Sequence, residues 1–441
     1  MKLLVIGGNA AGMSAASRVK RRAPSWEVLV LEQSREVSYG ACGLPYYVAG
    51  LNNDIDLIRI RSVADFEKAG VQVRLSCTVT SVDFSAKTVS YTGPDGREGT
   101  ENYDKLLIAT GSSPKIPPIP GIRQDGILPL KTLAQAESLR FALEAGPKNV
   151  VIVGGGYIGL ELAEACHLQN VPSIRVIEAA DRLLNGFDPE FSQAVQQELE
   201  RNQIQVHTGE RVLSFEGNSR VEQIVTNKGR YPADLVILAL GVDPNTRFLG
   251  SEVEKLPGGA IVTSGCMETS VPDVYAAGDC ATVWHKLLDR PVPIALGTNA
   301  NKQGRLAGDN IIGRKAEFKR ALGTSMLRCL GLELAKTGLG QTECEREGVP
   351  FKTATVQTRS HARYYPDPQL LTIKLCYRSE DRVLLGAQIM GPKEAALRID
   401  TFACAIDQGM STSELGFLDL GYAPPFASVW DAVAIAANAS K

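Results

Sequence analysis

Cys42, in the run S-Y-G-A-C-G-L-P-Y-Y (Ser38–Tyr47), is the residue of this chain best suited to redox chemistry. A thiolate attacks sulfur and accepts electrons, but a cysteine with the ordinary pKa of about 8.5 is only about 3% ionised at neutral pH. A working nucleophile needs that value lowered by about two units, or roughly 2.7 kcal/mol. Pro45 suits the first turn of a helix, which would set Cys42 at a positive helix end. Such an end contributes about 0.3–1 kcal/mol, up to ~2 when partly buried, so the surrounding pocket has to supply the rest. Neither Val37 nor Tyr47 is a cysteine. Disulfide chemistry at Cys42 would therefore have to draw its second sulfur from a small molecule.

The elements that position this thiol begin just upstream. Leu3 to Ile6 reads as a strand, Gly7-Gly8-Asn9-Ala10-Ala11-Gly12 as a turn and Met13 to Arg22 as a helix; Glu27 to Leu31 reads as a second strand, followed by Glu32 and Gln33. In such a unit the glycines let the backbone approach a pyrophosphate at the helix N-terminus, and a carboxylate about 20 residues on accepts hydrogen bonds from a ribose. Asn9 stands where the middle glycine is usual. The pattern recurs with a strand at Asn149 to Val153, the turn Gly154-Gly155-Gly156-Tyr157-Ile158-Gly159, a helix over Leu160 to Gln169 and a strand from Ile174 leading to Glu178. Two units imply two nucleotides. Glu178 would repel a ribose 2′-phosphate and bond a free hydroxyl, which favours NADH over NADPH; Arg182 reads as a solvated charge.

Tyr103 to Gly111 and Ala233 to Gly241 read as buried strands closed by glycine turns, where the chain crosses between the two units; Thr110, Gly111 and Gly241 are candidate nucleotide contacts. A third such segment, Val274 to Asp279, ends in Gly278 and a carboxylate that either bonds a ribityl or ribose hydroxyl or caps a helix.

At 441 residues the chain has room for about three domains. A net charge of -2 gives no reason to expect nucleic acid or an anionic membrane as partner. Nine cysteines without a CxxC spacing argue against a disulfide framework, a zinc site or any other metal centre, and suit a reducing, cytoplasmic setting. The apolar start M-K-L-L-V-I is short and runs straight into a glycine turn, unlike a signal peptide. Nowhere do about 18 apolar residues run uninterrupted, so no spanning helix is expected.

Together these pieces resemble the pyridine nucleotide-disulfide oxidoreductase family over essentially the whole chain. The resemblance implies an α/β fold with two Rossmann-like domains, for FAD (1–113 and 246–320) and NAD(P)H (114–245), and a C-terminal α+β dimerisation domain (321–441). It implies that Ser38 and Gly278-Asp279 touch the flavin cofactor and that A-L-G-T-N-A-N-K-Q-G (Ala295–Gly304) begins a helix facing the flavin ring, with Gly297 and Thr298 on the cofactor and Asn299 toward the substrate. The late His-Glu pair and C-x-x-x-x-C of glutathione reductase are missing: the four histidines are His167, His207, His285 and His361. The match is to the single-cysteine branch, with S-x-x-x-C-G-x-P-Y at Ser38, Cys42, Gly43, Pro45 and Tyr46. Peroxidases and water-forming oxidases of that branch carry a histidine where this chain has Ala10, which weakens oxygen or peroxide reduction as the main role.

From about Gly323 the chain turns strand-rich, and Glu394 to Gly409 reads as helix. In coenzyme A-disulfide reductases, segments matching H-A-R-Y-Y-P (His361–Pro366) and L-G-Y-A-P-P-F (Leu420–Phe426) each bring a tyrosine from the partner subunit to the active-site cysteine. The matching residues are Tyr364 and Tyr422, whose phenols can protonate a departing thiolate; Tyr365, adjacent, is the alternative to Tyr364. Trp430 stands where that branch usually has lysine, and Arg18, Arg21 and Arg22 are left to offer charge to a substrate from one face of the first helix. The activity implied is FAD-dependent, NAD(P)H-driven reduction of a low-molecular-weight disulfide, such as coenzyme A disulfide, or of a persulfide, by a homodimer. The alternatives are an NADH oxidase cycling through sulfenic acid, a sulfur or polysulfide reductase, or an electron-transfer or redox-sensing flavoprotein.

Overall fold

The computed structural model describes residues 1 to 441. Its first sheet is parallel, in the order Val274–Ala276, Lys105–Ile108, Lys2–Ile6, Glu27–Leu31, Gln72–Arg74. Its central strands are apolar nearly throughout because both faces are covered, as parallel sheets require. The second sheet repeats this arrangement: Gln205–His207, Ser173–Ile177, Asn149–Val153, Leu235–Leu238, Ile127–Pro129, again all parallel. Each unit also holds a three-stranded antiparallel meander just before its returning strand, Thr78–Asp83 to Glu98–Asn102 in one and Val212–Glu216 to Arg230–Pro232 in the other. Where the chain passes between the units, Ser112–Pro114 and Val242–Pro244 pair as an antiparallel ribbon.

The helices of both turns start at the turn itself, Ala10–Arg22 and Tyr157–Leu168, earlier than the sequence pattern suggests. Their first turns, Ala10-Ala11-Gly12 and Tyr157-Ile158-Gly159, belong to the glycine turns themselves, where glycine marks a loop in the sequence. The helix Gly297–Ile311 crosses Ala10–Arg22 at very short range: a Cβ on Gly304 would stand 2.2 Å from the Ala11 carbonyl oxygen. That crossing aims the N-terminus of Gly297–Ile311 at the mouth of the first unit.

The C-terminal sheet is antiparallel, in the order Ser325–Cys329, Leu332–Gly338, Leu384–Gly391, Leu370–Arg378, Phe351–Arg359. The helix Ile399–Gln408 lays Ile399, Phe402, Ala405 and Ile406 into its core, each large apolar side chain worth about 1.5–3 kcal/mol. It is shorter than expected at its N-terminal end. The amides of Ala395 and Ala396 donate to the Glu333 carboxylate (3.1 and 3.2 Å), and a 3-10 turn, Ala396–Arg398, takes the place of the first helical turn. Asp188, buried in the second unit, accepts from Lys374 of this sheet (3.0 Å) and from the amides of Gln341 and Thr342, which seats the second unit on the C-terminal domain.

Candidate active site

The two glycine turns are built alike. Gly7 and Gly154 have φ of +107° and +113°, and a Cβ on either would stand 2.2 or 2.3 Å from the carbonyl oxygen of Ala109 or Ala239. Gly12 and Gly159 face the carbonyl of the first glycine of their own turn, at 1.9 and 2.0 Å from an added Cβ. Glu32 accepts from the amides of Gly8 (2.6 Å) and Ser34 (2.7 Å), and Glu178 from those of Gly155 (2.7 Å) and Ala180 (2.8 Å). Each carboxylate is thereby locked at the edge of its turn, with acceptor capacity left for a hydroxyl.

The one irregular position has a structural use. Asn9 caps the helix in extended conformation (φ -110°), so no glycine is needed there, and its Oδ1 accepts from the Tyr39 amide (3.2 Å). Ser38, at φ +49°, donates its amide to the Gly8 carbonyl (3.0 Å). The glycine turn therefore holds the segment that leads to Cys42.

Cys42 lies in a 3-10 turn, Ala41–Gly43, directly before the helix Leu44–Val48, with Pro45 in its first turn. It is exposed at the surface, and none of the nine cysteines forms a disulfide; Cys77, Cys166, Cys280, Cys329, Cys344 and Cys376 are buried. The expected depression of the Cys42 pKa is not what this environment produces. Partial desolvation pushes the thiol up, Glu161 and Asp279 push it further, and Lys131 alone among the side chains pulls it down. The adjoining helix is only five residues long, so the dipole that Pro45 promised is a short one.

Lys131, Glu161 and Ser112 are the residues the sequence pattern did not reveal. Asp279 does not cap a helix; it accepts from Lys131 Nζ (2.9 Å) and from Ser112 Oγ (2.9 Å), which bridges the first unit to the start of the second. Glu161, one turn beyond Tyr157, is raised to about 7 by burial and by the neighbouring Glu164. Its only sequence signal was its spacing from that glycine turn. The folded protein thus holds a proton on Glu161 that the unfolded chain releases above about 4.5, so stability contributed there falls as pH rises from about 4.5 to about 7 and is flat beyond, a loss on the order of 3 kcal/mol. Glu161→Gln is expected to remove that decline in thermal melts between pH 5 and 8. It should also speed alkylation of Cys42 at neutral pH, by removing a repelling carboxylate. Unchanged melts and alkylation rates would show that Glu161 does not titrate beside the thiol.

The remaining candidates are distributed as follows. Thr110 bonds the Asn245 carbonyl through Oγ1 (2.7 Å), and Gly111, Gly241 and Gly278 all have positive φ. Gly297 and Thr298 are exposed at the helix start; Asn299 is buried there, and its Nδ2 has no hydrogen-bond partner. Gln33 is exposed, and Ala10, Ala11 and Ile158 lie in the first turns of their helices. Tyr157 hydrogen-bonds Ser325 of the C-terminal domain (2.7 Å). Tyr157, Ala295, Leu296, Ser325, Lys336 and Glu343 are among the residues around a cavity of about 630 Å3 between the second unit and the C-terminal domain.

Two expectations about arginines need correction. Arg18 is not available as a free cation: Nε and Nη2 grip both oxygens of Asp309 (2.8 and 2.7 Å). Arg182 is not a solvated charge, since its Nε is buried and unpaired while Nη2 leans on Thr342 (3.5 Å). Arg21 and Arg22 are exposed, and Arg21 lines a hollow of about 330 Å3 with Ser17, Lys20, Arg61 and Ala69. Tyr364 and Tyr422, both exposed, hydrogen-bond each other through their hydroxyls.

Duplicated dinucleotide turns on parallel sheets, an exposed thiol held by the first of them, and an unsatisfied buried amide at a facing helix start fit FAD on the first unit and a pyridine nucleotide on the second. This is the architecture of a two-nucleotide flavoprotein oxidoreductase. The pyridine nucleotide-disulphide oxidoreductase model matches residues 1–304, and the dimerisation domain of the same family matches residues 329–434. The chain belongs to that family, and is a flavin-dependent oxidoreductase using FAD and NAD(P)H. An NAD(P)H coenzyme A polysulfide/persulfide reductase of Pyrococcus horikoshii is 37% identical, over 100% of this chain and 98% of the relative. Among solved structures, an NAD-dependent persulfide reductase from A. fulgidus superposes with a TM-score of 0.96 at 35% identity, covering 99% of this chain and 82% of that one. A water-forming NADH oxidase from Lactobacillus brevis superposes at 0.97 with 29% identity, covering 100% and 98%. No helix is long and apolar enough to cross a membrane.

Proposed function

We propose that the chain is an NAD(P)H-dependent reductase of a low-molecular-weight disulfide or persulfide of the coenzyme A type, working through Cys42 as its single redox cysteine. The observation that carries this is the exposed, unpaired Cys42 on a segment tied to the first glycine turn, with Lys131, Glu161 and Asp279 as its charged surroundings. FAD, when bound, supplies the two-electron relay between the nicotinamide and sulfur. Gly7, Gly8, Gly12 and Glu32 would hold its adenosine and pyrophosphate, Asp279 its ribityl chain, and the helix start at Gly297–Asn299 its ring end. Glu178 favours NADH over NADPH by the repulsion it exerts on a 2′-phosphate.

Cys42, with Lys131 as the side chain that favours its ionisation, attacks one sulfur of the substrate as thiolate, the S–S bond breaks, and the departing sulfur leaves as thiol or hydrosulfide after protonation. Two electrons from NAD(P)H then cleave the resulting mixed disulfide, the second thiol leaves, and the Cys42 thiolate is restored. With no histidine in the last 80 residues, the proton comes from a phenol. We assign that role to Tyr422, paired with Tyr364, reaching the partner subunit's site in a homodimer; the dimerisation domain and the exposure of both rings support this. The hollow of Lys20, Arg21 and Arg61 offers cationic ground for a phosphate-bearing substrate. We set the domain limits at 1–113 with 246–320, 114–245 and 321–441; the crossing ribbon of Ser112–Pro114 and Val242–Pro244 supports the two limits between the nucleotide units.

The test is NADH consumption with different acceptors. Coenzyme A disulfide or coenzyme A persulfide is expected to outpace glutathione disulfide by at least about ten-fold in kcat/KM, the scale on which a site's polar contacts discriminate. Oxygen, with Ala10 in place of an ionisable side chain, should be a poor acceptor. Stoichiometric oxygen uptake unaffected by added disulfide or persulfide would overturn the proposal in favour of an oxidase.

A further inference from the structure

Tyr364 and Tyr422 sit on separate loops, one following the strand Phe351–Arg359 and the other preceding the helix Ala432–Asn438, yet their hydroxyls are hydrogen-bonded. Both rings are open to solvent, at 74% and 45% exposure, so packing does not hold them together. One cation joins the two loops. Arg398, with only 14% of its side chain exposed, donates Nη2 to the Ser360 carbonyl (2.6 Å) and to the Phe426 carbonyl (3.1 Å). Its Nη1 donates to the Glu394 carbonyl (2.6 Å) and its Nε to the Asp431 carboxylate (3.3 Å). Asp431 in turn caps the helix Ala432–Asn438 through the Val433 amide (2.8 Å). His361 closes the first loop, donating Nε2 to the Pro366 carbonyl (3.0 Å) while Nδ1 accepts from Ser360 Oγ (2.9 Å).

The partners of Arg398 thus lie at the base of the Tyr364 loop, at the base of the Tyr422 loop, and at the turn that carries Arg398 itself. Only a planar guanidinium, with five donors in fixed directions, reaches all of them at once; an ammonium has three donors on a single nitrogen.

We propose that Arg398 is a positioning residue that fixes the two tyrosine loops relative to each other and so presents Tyr364 and Tyr422 to the partner subunit's Cys42 site as one preset pair. The inference rests on the reading that this pair serves the sulfur chemistry, and it predicts that Arg398 acts only through the tyrosines.

The experiment compares Arg398→Lys, Tyr422→Phe and the double variant as FAD-loaded dimers. Turnover is measured with the better of coenzyme A disulfide and coenzyme A persulfide, and flavin reduction by NADH is followed separately. Tyr422→Phe is expected to lower kcat by about a hundred-fold, as loss of a proton donor does. Arg398→Lys should lower it by roughly ten- to a hundred-fold through misplacement of the same group. The double variant should be no slower than Tyr422→Phe alone, and flavin reduction should stay within about two-fold of the parent in all three, since the tyrosines take no part in hydride transfer. Amide exchange in 361–366 and 421–427 should rise together in Arg398→Lys.

Normal turnover in Arg398→Lys, or a further loss on top of Tyr422→Phe, would overturn the positioning role while leaving the tyrosine chemistry standing. Normal turnover in Tyr422→Phe would overturn both. Should Arg398→Lys fail to dimerise, Asp431→Asn, which removes the negative charge facing Nε and keeps the cation, is judged by the same criteria.

Discussion

Cys42→Ser is expected to lower reduction of disulfide or persulfide by three orders of magnitude or more, the scale of losing a covalent nucleophile. A serine hydroxyl is of similar size but does not ionise here, and it forms no bond to sulfur that reduction could reverse. The variant should still bind FAD and still accept a hydride from NADH, because the hydrogen bonds that shape the two glycine turns do not involve the Cys42 side chain. Flavin reduction in a stopped-flow trace is therefore expected at the parent's rate, with the NADH consumption that depends on the sulfur acceptor gone. Mass spectrometry of the unreduced parent protein should show a small thiol attached to Cys42, absent from the variant. Retained turnover in Cys42→Ser would remove the foundation of the proposed activity: Cys77, Cys166, Cys280, Cys329, Cys344 and Cys376 are buried, and the two other accessible cysteines, Cys266 and Cys404, lie outside the segment tied to the first glycine turn.

The second large effect is expected from a single methyl group. In Gly12→Ala the added Cβ would stand 1.9 Å from the Gly7 carbonyl oxygen, a fixed part of the turn, and 3.1 Å from Val5 Cγ1 of the strand Lys2–Ile6. The helix Ala10–Arg22 must then move off the strand Lys2–Ile6, and the carbonyls and amides that frame the pyrophosphate site move with it. Overpacking of this kind costs about 1–3 kcal/mol, and its upper end corresponds to roughly a hundred-fold weaker binding of FAD. The purified variant should be largely colourless, with flavin absorbance per chain a small fraction of the parent's. The duplicated turn provides an internal check: Gly159 is untouched, so NADH binding followed by its fluorescence should persist. A fully yellow Gly12→Ala protein would mean that the first turn is not where FAD sits.

Legibility in the sequence followed the range of the forces involved. Glycine turns are dictated by local sterics: a φ above +100° at Gly7 and Gly154, and a carbonyl in the place of a Cβ at Gly12 and Gly159, leave glycine as the only residue that fits without displacement. Strands buried on both faces announce themselves as short apolar runs. Cys42, Glu32 and Glu178 were readable because their positions are measured from those turns along the same stretch of chain. Where local backbone hydrogen bonds competed with pattern, as at Ala395 and Ala396 on the Glu333 carboxylate, the helix boundary moved.

What tertiary structure alone decided is the electrostatic company each group keeps. Asp279 meets Lys131 and Ser112 across 148 and 167 residues of chain, Arg18 is consumed by Asp309 across 291, and the Tyr364–Tyr422 pair spans 58. None of these pairings leaves a periodic trace, because each depends on how elements far apart in the chain pack together. The sign of the shift at Cys42 belongs to the same class. A proline in the first turn promised a depressed thiol, but the folded site surrounds it with two carboxylates, one lysine and partial desolvation, and the carboxylates outweigh the lysine. The sequence by itself determined that a lone reactive sulfur stands on a two-nucleotide scaffold, since sterics and spacing act along the chain. Which charges face that sulfur, and which cation ties the tyrosines together, was settled only by packing, since Coulomb forces and desolvation depend on distances through space.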